Sequence, residues 1–229
     1  MKIKLYQNKD LLNRKQINLM QREIHIWCIR WKDILPFWEN NQSIMSLEEI
    51  EKSGRYHFFD DRMRYSAGKI ITRLLLMQYL QEEKINFFTS RLGKPYHKEI
   101  AGKLNVDFNI SHSGQIVIAA FSKNMEIGVD VQEIIKCPEY LEIAKNFFTI
   151  EEAANIEKEY DIKIFYQYWS AKEAYLKALG LGLNKGMDFF SVIDDVIKEH
   201  GKVKYDWKLI PITIKNYAAY VALHEREEK

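Results

Sequence analysis

The sequence predicts an α+β protein of two lobes, on three observations. Strand-like and helix-like segments alternate in both halves of the chain, which is typical of folds that mix sheets and helices. The chain has 229 residues, enough for two domains of about 110 residues each. Hydrophobic residues make up 47% and charged residues 29%, the balance of a folded protein with a core. We expect an N-terminal extension over 1–20, a lobe over 21–126 and a second lobe over 127–229.

The first half begins with a basic segment and continues with a strand and a long helix. Residues 1–20 carry five basic side chains and one acid, and we interpret them as an appended segment. The alternation EIHIWCI over 23–29 predicts a strand. Asp60 and Asp61 predict a helix start, because acids suit the positive end of the helix dipole. The predicted buried face consists of apolar residues three and four apart, namely Met63, Ala67, Ile70, Leu74 and Met77.

A second face of this helix is basic. Arg62, Lys69 and Arg73 are seven and four residues apart, so they share one side of the helix. Two interpretations stay open at this point: a solvated charged face, or a contact for a phosphate group.

Strands follow on both sides of the middle of the chain. VDFNI over 106–110 and the apolar run IVIAAF over 116–121 predict two strands around a turn at SHSG. IGVDV over 127–131 predicts a further strand, after a joint that we place between Asn124 and Ile127. Closing strands are predicted around 189–193, 202–210 and 217–223.

Two helices are predicted between these strands. In TIEEAANI, Thr149 is a predicted helix cap with Glu152 three residues on. A long helix is predicted over 162–179, and Gly180 and Gly182 should end it.

Charge, cysteine count and hydropathy exclude several classes of protein. The formal net charge is only +2, so a nucleic-acid binder, which would rest on residues 1–20 and the basic helix face, is not favoured. No stretch approaches the length of a membrane span, and the N-terminus lacks the apolar core of a signal peptide. The two cysteines cannot form a disulfide framework. We therefore expect a cytoplasmic protein without a membrane partner.

The residues that suggest chemistry cluster in the second half. Asp130 and Gln132 are two apart on a predicted strand and point to one face. Glu173 and Lys177 are four apart on a predicted helix and share a side. Mg²⁺ is often bound by one or two carboxylates together with waters and substrate phosphates, so a strand Asp and a helix Glu would suffice. Taken singly, each group also has an ordinary structural explanation. Glu173 and Lys177 can form an exposed ion pair on a helix, and an Asp at the end of a strand is commonly a turn or cap residue.

Two turns could add phosphate contacts. Lys94 and Pro95 lie in GKP, a turn that offers a cation. Ser111 and His112 lie in NISHSG, where a hydroxyl, an imidazole and free backbone N–H groups of a turn can face a phosphate. Together with the acidic residues they describe a polyphosphate site with magnesium.

The motif series resembles that of a known enzyme family. The strings, in order, are GKP at 93–95, FNISHSG at 108–114, IGVDV at 127–131, FFTIEE at 147–152 and WSAKEAYLKALGLGL at 169–183. They are similar to the 4′-phosphopantetheinyl transferases of the type that activates surfactin synthetase. The resemblance covers roughly residues 23–223 and leaves residues 1–20 outside.

The resemblance implies a fold and a reaction. It implies a monomer of two similar α+β lobes with coenzyme A bound in the cleft between them. The implied enzyme is Mg²⁺-dependent and moves the 4′-phosphopantetheine arm of coenzyme A onto a serine of an apo acyl or peptidyl carrier protein. Adenosine 3′,5′-bisphosphate is released. The carrier would serve peptide, polyketide or fatty-acid synthesis. The alternative is a non-catalytic relative that binds coenzyme A or a carrier protein.

The resemblance also implies roles for single residues. Magnesium falls on Asp130, Gln132 and Glu173, with Glu173 the first candidate for accepting the serine proton and Glu152 the second. The catalytic group is completed by Lys177 and His112. The implied contacts to coenzyme A are Lys52, Arg64, Tyr65, Lys94, Pro95, Ser111, His112 and Lys177.

Two positions depart from the family pattern. Close relatives often carry Glu where this chain has Gln132, which removes one negative charge from the implied metal site. Glu49 stands at a position where relatives carry a Lys, which weakens the implied contacts to the 3′-phosphate of coenzyme A.

Overall fold

The protein divides into two compact units. The computed structural model describes residues 1–13, 17–91, 94–97, 106–181 and 186–225. Unit 1 comprises Met1–Phe88 and Pro95–Asn124, and unit 2 comprises Thr89–Lys94 and Met125–Lys229. Both units combine helices with sheet, so the α+β class is confirmed. The longer segment of unit 2 begins at Met125, two residues before the predicted lobe boundary at 127, because a nine-residue strand begins there.

The described helices are α1 (Asn8–Leu12), α2 (Leu35–Asn40), α3 (Leu47–Gly54), α4 (Phe59–Leu80), α5 (Tyr140–Phe147), α6 (Ile150–Glu159) and α7 (Ile162–Leu179). The described strands are β1 (Lys2–Tyr6), β2 (Glu23–Arg30), β3 (Phe87–Thr89), β4 (Pro95–His97), β5 (Val106–Ser113), β6 (Ile116–Lys123), β7 (Met125–Glu133), β8 (Phe190–Ser191), β9 (Lys198–Glu199), β10 (Lys202–Val203), β11 (Trp207–Pro211) and β12 (Tyr217–Glu225). Short 3₁₀ helices span Trp31–Ile34, Gln42–Ile44 and Ile193–Asp195.

Unit 1 is a four-stranded sheet covered by helix α4. Its strand order is β1-β2-β6-β5, with β1 parallel to β2 and the other neighbours antiparallel. Strand β6 is buried from Ile116 to Ser122, because it lies between two strands and carries apolar residues on both faces. Helix α4 packs against β5 and β6 with Ala67 and Ile70 fully buried.

The interpretation of residues 1–20 as an appended segment is wrong for Lys2–Tyr6, which form strand β1. Strand β1 is the edge of the unit 1 sheet, with Lys2 opposite Glu23. The Lys4 ammonium lies 2.7 Å from the Glu23 carboxylate, and the Tyr6 ring stacks on Trp27 with centroids 4.5 Å apart. A strand pairing of this kind joins distant parts of the chain and leaves no local signal in the sequence.

Unit 2 is a three-stranded antiparallel sheet that packs against helix α7. Its strand order is β11-β12-β7, and α7 packs across β7 and β12. Helices α5 and α6 pack against α7, and a second small sheet has the order β10-β9-β8. The core between these elements includes Phe165, Tyr175, Leu176 and Phe190.

The helix boundaries in unit 2 follow the predicted signals. Thr149 and Glu152 form a reciprocal capping box at the start of α6, which confirms the predicted cap. Helix α7 ends at Leu179 and is capped by Gly180, which has a φ of +69°, a value that glycine adopts without strain. Gly182 lies outside the described residues.

Gly128 of β7 lies directly under the backbone of α7. A Cβ atom at this position would be 2.9 Å from the Ala178 Cα and would collide with the Ala174 carbonyl oxygen. Only a residue without a side chain therefore allows the strand and the helix to approach this closely.

We predict that Gly128→Ala destabilises the protein by at least about 2 kcal/mol, because the added methyl group meets rigid helix backbone. The matched control is Gly54→Ala, where a Cβ would meet nothing within 4 Å and the change should stay within about 0.5 kcal/mol. Urea unfolding of both variants measures the difference. Equal stability of the two variants would contradict the close approach.

Candidate functional site

Strand β7 and helix α7 bring together four predicted residues within unit 2. Asp130 on β7 is 1% exposed and lies opposite Tyr220 of β12. Lys177 of α7 donates from Nζ to Asp130 Oδ1 at 2.6 Å. Gln132 donates from Nε2 to Asp130 Oδ2 at 3.0 Å, as expected for side chains two apart on one face of a strand.

Glu173 completes this acidic group. It lies on α7 one turn before Lys177 and is 8% exposed. Burial raises the pKa of the Glu173 carboxyl from 4.5 to about 7, against the opposing effect of the Lys177 ammonium and with a further rise from the Asp130 carboxylate. A carboxyl group with a pKa near 7 can both accept and release a proton at neutral pH.

The donor set of the acidic group suits a hard divalent cation. Within the described ranges, no group of three or more His, Cys, Asp or Glu side chains is arranged to hold a metal. Asp130 and Glu173 nevertheless supply two carboxylates, and the Asp130 carboxylate contributes to the raised pKa of Glu173. Gln132 adds an amide beside them. Two carboxylates and an amide oxygen match the oxygen ligands of Mg²⁺.

Lys94 is held by backbone carbonyls of unit 2. Its Nζ donates to Ile127 O at 3.3 Å and to Ala178 O at 3.2 Å. The Ala178 carbonyl belongs to the last turn of α7, where a cation stabilises the negative end of the helix dipole. Pro95 is the first residue of β4 and is half-buried. Gly93 of the same turn lies outside the described residues.

Ser111 and His112 lie on a strand, and the prediction that they enter a turn is wrong. Both belong to β5, where Ser111 pairs with Ile118 and His112 with Val117 of β6. The hairpin turn begins only at Gly114, which has a φ of +52° and so suits a two-residue connection. Ser111 is therefore buried and His112 exposed, as alternation on a strand requires.

Three further predicted residues lie on α3 and α4 of unit 1. Tyr65 is half-buried, its pKa is raised to about 12 by burial, and the Lys52 ammonium lies 5.5 Å from its ring centre. Arg64 donates to Gly114 O at 2.9 Å and forms an ion pair with Asp61.

The basic face of α4 is solvated only in part, because Lys69 and Arg73 pair with a buried carboxylate. Arg62 is exposed, but Arg73 is only 7% exposed and forms an ion pair with Glu49 at 2.9 Å. Lys69 lies 3.5 Å from the same carboxylate. Glu49 also closes the capping box of Ser46 at the start of α3. The three-residue spacing of Ser46 and Glu49 is a local sequence signal for the helix cap. The pairing of Glu49 with Arg73 has no such signal, because the two residues are 24 positions apart.

Glu152, the second candidate for the base, is a structural residue. Its side chain and that of Lys172 are both 0% exposed and are joined by a 2.8 Å ion pair. Glu152 also accepts from the backbone N–H of Val192 at 2.8 Å and of Thr149 at 3.0 Å. A carboxylate that is enclosed and bonded in this way cannot reach a hydroxyl group of a partner protein, so Glu152 is not the base.

Comparisons with known proteins show the family of the chain. A family profile described as the 4′-phosphopantetheinyl transferase superfamily matches residues 126–222, and one described as 4′-phosphopantetheinyl transferase, N-terminal, matches 29–124. The transferase Sfp of Bacillus subtilis is 36% identical over 159 residues, which cover 67% of this chain and 68% of Sfp. The chain belongs to the 4′-phosphopantetheinyl transferase superfamily.

Further relatives extend the match. The 4′-phosphopantetheinyl transferase HetI of Nostoc sp. strain PCC 7120 is 30% identical over 174 residues, covering 74% of this chain and 73% of HetI. The 4′-phosphopantetheinyl transferase ffp of Bacillus subtilis is 34% identical over 169 residues, covering 72% and 71%. The resemblance found from the motifs is confirmed. The alternative of a non-catalytic relative is not favoured, because these relatives are named transferases.

We predict that Glu173→Gln makes the metal-free transferase more stable at high pH. The carboxyl has a pKa of about 7 in the folded protein and an ordinary value of 4.5, so the folded state binds a proton that the unfolded state has released between these pH values. Stability of the wild type therefore falls as pH rises through this window. From pH 5 to pH 8, the stability advantage of the variant should grow by about 2.5 kcal/mol.

Urea unfolding in the presence of a chelator measures this advantage. A difference in unfolding free energy that stays constant from pH 5 to pH 8 would contradict the buried, electrostatically strained state of Glu173.

Proposed function

We propose that this transferase moves the 4′-phosphopantetheine group of coenzyme A onto a serine hydroxyl of an apo carrier protein and releases adenosine 3′,5′-bisphosphate. The observation that supports the proposal most directly is the grouping of two buried carboxylates, Asp130 and Glu173, with Lys177 in a member of this superfamily. The reaction is an attack on the β-phosphorus of a pyrophosphate. Its barrier falls mainly through charge neutralisation and alignment.

Glu173 is proposed to accept the proton of the attacking serine, directly or through a water. Its carboxyl group is only 8% exposed and lies one turn from Lys177 on α7, and a carboxylate held in position can serve as a general base.

Lys177 is proposed to neutralise the phosphate that is attacked. Its ammonium is already oriented by the 2.6 Å bond to Asp130, and a charge-assisted bond of this length fixes the position of a flexible side chain. Asp130 therefore both holds Lys177 in place and balances its charge.

Mg²⁺ is proposed to bind to Asp130, Glu173 and Gln132. When bound, the ion would supply charge neutralisation at the pyrophosphate. The support is the oxygen donor set described above, together with the Asp130 carboxylate that raises the pKa of Glu173. Gln132 contributes a neutral donor where relatives often have Glu, so the group carries one negative charge fewer.

The remaining contacts to coenzyme A are also proposals. Ser111 and His112 would face its pyrophosphate or its 3′-phosphate, and Lys94 and Pro95 would line the nucleotide pocket. The bonds of Lys94 to Ile127 O and Ala178 O support an anchoring role for this lysine as well. Near the 3′-phosphate we place Lys52, Arg64 and Tyr65.

The proposal also covers the protein partner, the cellular compartment and the oligomeric state. The partner is an apo acyl or peptidyl carrier protein, and we propose a cytoplasmic monomer that binds no nucleic acid. The near-zero net charge of +2 supports the last point. For the membrane, the structure shows that no helix in its described residues is long and apolar enough to cross a bilayer.

The proposed reaction can be tested by mass spectrometry. The protein is incubated with coenzyme A, Mg²⁺ and several apo carrier domains, and one phosphopantetheinyl group should be added to the acceptor serine. Replacing that serine by Ala in the carrier is the control for the site of addition. No addition to any carrier would refute the proposed function.

Asp130→Ala and Glu173→Ala should each lower the rate of transfer at least about 100-fold, because each removes a group that neutralises or accepts charge in the reaction. The matched control is Glu157→Ala, since Glu157 is an exposed carboxylate paired only at the surface with Lys145. Circular dichroism checks that the variants are folded. Near-normal transfer by either active-site variant would show that the acidic group has been assigned wrongly.

Gln132→Glu should change the preference between Mg²⁺ and Mn²⁺, because it restores a third negative charge at the proposed ligand set. Transfer rates over a series of both metal concentrations measure the effect. The same dependence on each metal in the variant and the wild type would argue against coordination by residue 132.

A further inference from the structure

We infer that the buried pair of Glu152 and Lys172 is a positioning device that fixes helix α7, so that Glu173 and Lys177 face Asp130. This inference rests on the proposed function for its catalytic meaning, but the arrangement it describes is visible in unit 2 alone. Neither member of the pair is proposed to touch a substrate.

Glu152 joins three segments of unit 2. One carboxylate oxygen accepts from the Val192 N–H at 2.8 Å, and the other lies 2.8 Å from the Lys172 ammonium. The second oxygen also accepts from the N–H of Thr149 at 3.0 Å and from its hydroxyl at 2.9 Å. The start of α6, helix α7 and the segment after β8 are thus tied to one side chain.

Lys172 is equally constrained. Its Nζ donates to Met187 O at 2.8 Å and to Phe190 O, in addition to the ion pair with Glu152. An ammonium group has three N–H donors, so these three acceptors use all of them. The ammonium also lies 4.2 Å from the centre of the Phe190 ring. A buried lysine with every donor engaged leaves little freedom for its helix to rotate.

The position of Lys172 around α7 shows how the pair fixes the rotation of this helix about its own axis. Residues turn about 100° apart around an α-helix, which places buried Ala174 and Ala178 on the side that contacts Gly128 of β7. Counted from the middle of this contact, Lys172 lies about 140° around the helix in one direction, and Lys177 and Glu173 lie about 80° and 120° around it in the other. A helix held by Gly128 at the sheet and by Lys172 on the side away from that contact has one rotational setting, in which Lys177 reaches Asp130.

A double variant separates positioning from simple stabilisation. Either single change would leave a buried charge without its partner and could unfold the protein. Glu152→Gln combined with Lys172→Met removes both charges at nearly constant volume. The control is Lys145→Met combined with Glu157→Gln, which removes an ion pair of the same 2.8 Å length at the surface between α5 and α6.

Two quantities are measured on folded protein. The first is the affinity of the resting protein for Mn²⁺, measured by electron paramagnetic resonance without coenzyme A or carrier. The second is the split of transfer kinetics into kcat and KM for coenzyme A. In the double variant, we expect Mn²⁺ affinity and kcat each to fall about 10- to 100-fold, with KM little changed. The control variant should match the wild type in both.

The outcomes are distinct. A folded double variant with normal Mn²⁺ affinity and normal kcat would overturn the inference and leave the pair as a source of stability only. If the double variant does not fold, Glu152→Asp is used to distinguish positioning from stabilisation. The aspartate side chain keeps the negative charge but is too short to reach both Lys172 and Val192. A normal kcat and normal Mn²⁺ affinity in that variant would equally overturn the inference. Failure of the wild type to modify any carrier would refute the proposed function, while the Mn²⁺ measurement would still test the positioning.

Discussion

The contact between Gly128 of β7 and the backbone of α7 is the constraint from which the acidic group follows. Because no side chain separates them, the helix lies against the strand within reach of the bond from Lys177 to Asp130. Glu173, one turn earlier on the same helix, comes close enough for the Asp130 carboxylate to raise its pKa. A bulkier residue at 128 would move both helix residues away from the strand at once.

Both units contain buried pairs of opposite charges. The net charge of +2 conceals local groups in which opposite charges are enclosed together, as in Glu49 with Arg73 and Glu152 with Lys172. Removing one partner of such a pair costs about 3–5 kcal/mol. The acidic group differs from both pairs, since two carboxylates there share one lysine. That excess of negative charge is what makes it a candidate for binding a cation.

The sequence predicted those parts of the fold whose signals are local. The helix over 162–179, the cap formed by Thr149 with Glu152, and the common face of Asp130 and Gln132 depend on spacing within a few residues, and the structure has all three. The same short-range reasoning identified Glu173 and Lys177 as neighbours on one helix face.

The parts that the sequence could not predict depend on distant pairings. The local pattern of strand β1 predicts an appended segment, because its partner β2 lies elsewhere in the chain. The motif around Ser111 predicts a turn, whereas the start of the hairpin is set by Gly114, three residues later. The spacing of Arg73 predicts a basic face, whereas its partner Glu49 belongs to another helix. In each case tertiary structure overrode a pattern that was locally consistent.

The most direct test of the central claim is a crystal structure of the protein with coenzyme A and Mn²⁺, with data collected at the manganese absorption edge. One strong anomalous peak is expected at about 2.1 Å from carboxylate oxygens of Asp130 and Glu173, next to the pyrophosphate. A metal bound away from both carboxylates, with coenzyme A present, would contradict it.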